Sequence, residues 1–104
     1  MEDFVKRSLL YDFYGEMLTE HQKEIYESYV LDNLSLAEIA ENAGISRQGA
    51  HDIIHRCNNA LEGYESRLHL IEKFLKIREM VTEIENCSSL EKTRKIAQEI
   101  LEYL

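Results

Sequence analysis

The sequence predicts an all-α protein: a helix-turn-helix bundle extended by a long helix and a C-terminal helix. Three observations carry this. Apolar residues recur at spacings of three and four from residue 3 to residue 103, without a sustained period-two run. The 104 residues hold no Pro and only four Gly, at 15, 44, 49 and 63. The stretch SLAEIAENAGISRQGAHDIIHRCNNAL, Ser35 to Leu61, gives two capped amphipathic segments around a single Gly.

The first helix is expected over residues 3–17, with Phe4, Leu9, Leu10, Phe13, Tyr14 and Met17 on one broad face. Gly15 weakens its last turn by about 1 kcal/mol relative to Ala. Thr19 followed by Gln22 makes a capping box for a second helix, from about Glu20 to Leu31, with a stripe of Ile25, Tyr26, Tyr29 and Val30. Asp32, Asn33 and Leu34 form the turn that follows, with Leu34 packed beneath it. Six tyrosines at helical spacing read as core residues with the hydroxyl at the edge rather than as a base-stacking surface.

Ser35 with Glu38 is a second capping box, and Leu36, Ile39 and Ala40 form the inner face of the short helix it starts. Gly44 ends that helix by accepting a left-handed conformation. Ile45 plugs the corner and Ser46 caps the next helix. There Ala50, Ile53, Ile54, Cys57 and Leu61 make one stripe. Two helices joined by such a short Gly turn are a helix-turn-helix. An ordinary helical hairpin requires none of the four signals that agree here: cap, crossing Ala40, turn Gly44 and second cap.

Tyr64 to about Glu85 reads as one long helix, and Gly63 leaves open whether it is continuous with the helix before it. Cys57, Leu61, Tyr64, Leu68, Ile71 and Leu75 make one stripe; Leu70, Phe74, Ile77, Val81 and Ile84 make an adjacent one. Both must be buried, which predicts a homodimer using Leu68, Ile71, Phe74, Leu75, Ile77 and Val81. Asn86 to Ser89 breaks the pattern, and Ser88 with Glu91 has capping-box spacing. A last helix spans Leu90 to Tyr103, with Ile96, Ile100, Leu101 and Leu104 apolar. The expected division is a helix-turn-helix domain at 1–63 and, at 64–104, a long helix plus C-terminal helix that packs on it and dimerises.

No apolar run approaches the ~20 residues of a membrane span, so no membrane insertion is expected. The N-terminus lacks a signal-peptide pattern. Cys57 and Cys87 fit reduced thiols in the cytoplasm better than a disulfide framework or a zinc site. His51 and His55 share a helix face but have no third ligand in view. Neither a Gly-rich phosphate loop nor a nucleophile elbow occurs, so no cofactor, metal or catalytic residue is expected. Net charge is -8. Residues 1–34 hold eight acids and three bases, residues 35–63 four and two, residues 64–104 eight and seven. A basic patch is the usual footprint of nucleic-acid binding. Here the second helix of the motif offers Arg47, Arg56, His51 and His55 against Asp52.

Residues 18–65, LTEHQKEIYESYVLDNLSLAEIAENAGISRQGAHDIIHRCNNALEGYE, resemble region 4 of the sigma-70 factors, the helix-turn-helix that reads promoter -35 elements. Residues 9–74 resemble more closely the YlxM family of small cytoplasmic proteins from Gram-positive bacteria. DFYG, LDNLSLAEIA, ISRQG and LEGYESRLHLIEKF carry that likeness. The resemblance implies a regulatory role associated with the signal recognition particle (SRP) pathway, with the particle's GTPase or its RNA as partner. By the sigma likeness, Arg47, Gln48, His51 and Asp52 would lie at base edges.

Two readings follow. In one, the protein binds nucleic acid: Arg47 suits guanine, Gln48 suits adenine, Ser46 with the helix N-terminus holds a phosphate, and Arg56 adds another. DNA, or the SRP RNA, is then the target. In the other, the helix-turn-helix shape serves a protein contact, and the acidic N-terminal third suits a basic partner.

Overall fold

In a computed structural model that describes residues 3–104, six α-helices follow one another: α1 Asp3–Tyr14, α2 Glu20–Val30, α3 Leu36–Ala43, α4 Arg47–Leu68, α5 Leu70–Glu85 and α6 Leu90–Tyr103. No strand occurs among the described residues. The chain forms two units, one through Leu68 and one spanning His69–Leu104.

In the first unit α4 is the central element, and α1, α2 and α3 all pack on it. Leu10, Tyr14, Ile25, Tyr26, Val30, Ile39, Ala40, Ala50, Ile54, Cys57 and Leu61 form the core. Expected stripes from all four segments thus meet in one place. Helix α1 gives way at Gly15 to a 3₁₀ turn, Gly15–Met17. A Cβ on Gly15 would lie 2.8 Å from the ring of Tyr11, four residues earlier, so a larger residue there would have to displace that ring. Thr19 and Gln22 exchange both bonds of their capping box at the start of α2. The turn after α2 places Asn33 in the left-handed region, and the Leu34 N–H donates to the Ser28 carbonyl at 3.0 Å.

The tyrosines of the core do keep their hydroxyls bonded. Tyr14 donates to Glu65 and Tyr26 to Asn58, each tying an early helix to α4. Glu65 and Asn58 are the polar members of α4's inward face.

One expectation is corrected. Tyr64 to Glu85 is not a single helix. Gly63 lies inside α4, which runs 22 residues to Leu68, and the break comes at His69, with φ 55° and ψ 30°. Histidine enters the left-handed region more readily than bulky or β-branched residues do. Its carbonyl then accepts the Lys73 N–H at 3.0 Å, and its Nδ1 lies 3.1 Å from the Glu72 carboxylate in the first turn of α5. The stripe through Leu61 and Leu68 therefore ends with α4. A second correction is one residue in size: Ser89, not Ser88, caps α6, accepting the Lys92 N–H at 3.3 Å.

Candidate nucleic-acid interface

The helix-turn-helix is built by local chemistry at four residues. Ser35 and Glu38 form a complete capping box at the start of α3. The Ser35 backbone N–H, and then its hydroxyl, hold the Glu38 carboxyl below its ordinary pKa. Gly44 turns the chain at φ 68°, and the Ile45 N–H donates to Ala40 O at 3.0 Å. Ser46 Oγ accepts the Gly49 N–H at 2.9 Å, which starts α4. Ala40 and Ala50, both buried, belong to the shared core of α3 and α4.

This fixes which side of α4 faces water. Ser46, Arg47, Gln48, His51, Asp52, His55 and Arg56 are all exposed. Arg47, Gln48 and His51 line a shallow hollow with Leu36 of α3. Leu36 was read only as an inner-face residue; its position at the start of α3 is what puts it there.

The polar groups are partly engaged with one another. Gln48 Nε2 donates to Asp52 Oδ1 at 3.0 Å, and His51 Nδ1 lies 3.5 Å from the same oxygen. Gln48 and then His51 hold the Asp52 carboxyl below its ordinary pKa, so it stays charged at neutral pH. The His51 and His55 rings stack nearly parallel, 4° between planes and 6.1 Å between centroids. Arg47 and Arg56 against Asp52 leave this face with few fixed positive charges. The bond to Asp52 engages one of the two Gln48 Nε2 hydrogens.

Acidic side chains gather elsewhere. Glu20, Glu24 and Glu27 lie on one exposed face of α2. Lys23, with 18% of its side chain exposed, bridges Glu16 at 3.1 Å and Glu20 at 3.5 Å. The bond to Glu16 is the main cause of its raised pKa. Glu27 accepts the Tyr11 hydroxyl, and burial followed by that bond pushes the Tyr11 pKa up.

In the second unit, Ile71 is buried within the chain, while Leu75 and Ile77 are half-buried. Phe74 and Val81 are each 41% exposed; Leu68, at the end of α4, is also exposed. Among the described residues no cluster of three or more His, Cys, Asp or Glu could hold a metal ion. No helix among them is long and apolar enough to cross a membrane.

A capped α3, a left-handed Gly and a following helix with an exposed N-terminal face define a helix-turn-helix protein, a fold compatible with binding rather than catalysis. Residues 1–101 match the model of the UPF0122 family, described as "Putative helix-turn-helix protein, YlxM / p13 like". The chain belongs to that family. A UPF0122 protein of Caldanaerobacter subterraneus subsp. tengcongensis is 44% identical over 86 residues, 83% of this chain and 74% of the relative. One from Thermoanaerobacter sp. is 39% identical over 103 residues, covering 99% and 88% respectively. One from Desulforamulus reducens is 38% identical over 112 residues, covering 98% and 96%.

Proposed function

We propose that this protein is a regulatory helix-turn-helix protein of the SRP pathway, acting by contact with the particle's GTPase or its RNA. The supporting observation is a mismatch on α4. The face that would enter a groove holds two arginines, one of them beside an ionised Asp52, in a chain of net charge -8. Affinity for duplex DNA rests largely on neutralised phosphates, and this face neutralises few. The pathway itself is proposed from the likeness of residues 9–74 to the YlxM family.

Sequence-specific DNA binding is the second reading. It is favoured by the exposure of Arg47 and Gln48 at the N-terminal end of α4, the residue types that pair with guanine and adenine. The chain further acts as a homodimer in the cytoplasm, pairing through apolar side chains of the unit His69–Leu104, Ile77 and Val81 among them.

The test is capture on the tagged protein from cytoplasm, with and without nuclease. Recovery of the SRP GTPase in both samples supports the protein contact. Recovery lost with nuclease supports the RNA. Recovery of chromosomal DNA fragments alone supports the second reading.

A further inference from the structure

His51 and His55 lie one turn apart on the exposed side of α4, and their rings are parallel, with 4° between planes and 6.1 Å between centroids. On a helix this spacing lets two imidazoles grip one metal ion. The surroundings of His51 favour that use. Its Nδ1 lies 3.5 Å from Asp52 Oδ1, and Gln48 Nε2 donates to the same oxygen at 3.0 Å. A ring whose Nδ1–H is directed at a carboxylate keeps its Nε2 lone pair for an ion, is fixed in orientation and becomes a better ligand. The backbone beneath is well supported: α4 runs 22 residues, and α1, α2 and α3 all pack on it.

We infer that His51 and His55 together hold a divalent transition-metal ion of the zinc class through ring nitrogens, with water in its remaining positions. Among the described residues no third protein ligand joins them. The site is therefore weaker than a catalytic or structural zinc centre, and its ion keeps positions open to an incoming group. Zn–N bonds of about 2.0–2.1 Å at a tetrahedral centre set the two nitrogens roughly 3.3 Å apart. Both rings are exposed, so turning about their side-chain torsions converges them from the stacked arrangement without moving the helix. Imidazole suits zinc, nickel and copper, whereas magnesium and calcium take oxygen donors. The ion adds two positive charges to a face where Arg47 and Arg56 stand against Asp52, and its open positions suit a phosphate oxygen. That consequence rests on the reading that α4 meets RNA; the site itself does not.

The experiment is a Zn2+ titration of the full chain, followed by the histidine ring resonances in NMR and by thermal unfolding, with Mg2+ in parallel. The His51 and His55 resonances should shift together and saturate below millimolar Zn2+, and the melting temperature should rise with the ion. Mg2+ should do neither. His51→Ala and His55→Ala should each weaken binding at least tenfold, and Asp52→Asn severalfold. His21→Ala and Cys87→Ser should leave it unchanged. Zn2+ binding that survives loss of both His51 and His55, or no saturation below a millimolar, overturns the site. Anisotropy of labelled SRP RNA, with and without Zn2+, reads the consequence. Binding should be severalfold tighter with the ion, and the gain should vanish when His51→Ala and His55→Ala are combined. RNA bound equally well in both conditions overturns the coupling. RNA bound in neither overturns the RNA reading, and the site then stands or falls on the titration.

Discussion

The Tyr26 hydroxyl donates to Asn58 Oδ1, so the most deeply buried tyrosine ties α2 to the middle of α4. That bond holds the long helix of the motif in register with the helices behind it, through two residues 32 positions apart. Tyr26→Phe keeps the ring and removes the donor. It should cost about 1 kcal/mol, the usual net value of such a bond. Urea unfolding followed by circular dichroism measures it; a neutral substitution would show that packing alone sets the register.

Two glycines with open space around them should respond in opposite directions to alanine. Neither Gly44 nor Gly63 has anything within 4 Å of a built Cβ. Gly44 has φ 68°, and a side chain there should cost about 1–2 kcal/mol from backbone conformation alone. Gly63 lies in the interior of α4, where Ala is favoured over Gly by roughly 0.5–1 kcal/mol. Thermal unfolding of the two variants should therefore bracket the unmodified protein.

Alkaline pH should destabilise the first unit before its tyrosines ionise in the fold. Burial pushes the Cys57 thiol from 9.0 up to about 11. Burial likewise pushes Tyr26 from 10.0 up to about 12, with the Arg7 guanidinium beside it acting in the other direction. Both are acids favoured in the neutral form by folding. Above the unfolded value the unfolded chain releases protons that the folded chain keeps, so stability falls as pH rises. The loss should begin near 9 for Cys57 and continue until its folded value near 11 is passed. Melting temperature measured from pH 7 to pH 11 should fall in this window, and Cys57→Ala should flatten the first part of the fall.

Any binding to duplex DNA should be weak and lost at modest salt, because the α4 face presents few phosphate-directed charges. Arg47→Ala should remove the remaining sequence preference, about 1–3 kcal/mol for a bidentate base contact. Fluorescence anisotropy over a salt series checks this. A tight complex that survives raised salt, or one indifferent to Arg47, would contradict it.

The parts of this fold that the sequence made legible are those set by neighbours in the chain. Thr19 with Gln22, Ser35 with Glu38, Gly44 and Ser46 each satisfy backbone groups within four residues, and the structure uses all four as expected. The break at His69 has no such local signal: neither Gly nor Pro marks it, and the left-handed residue is one that helices ordinarily tolerate. The ties of Tyr14 to Glu65 and Tyr26 to Asn58 join residues far apart in sequence, and an apolar-stripe reading passes over the polar members of α4's inner face. The pairing of Gln48 with Asp52 was available from their spacing of four, yet it changes the site: a candidate base reader is held by a neighbouring carboxylate.

The central claim is contact with the SRP, and titration of the purified protein against the particle's GTPase and its RNA, separately and at low salt, tests it most directly. Saturable binding to one of them is expected, weakening as salt is added. If the GTPase is the partner, Glu20→Lys with Glu24→Lys should abolish binding while Arg47→Ala spares it; Glu27 is left in place because it holds Tyr11. If the RNA is the partner, the added lysines should strengthen binding and Arg47→Ala should weaken it. No saturable binding to either at tens of micromolar would contradict the account and leave a DNA-binding regulator in its place.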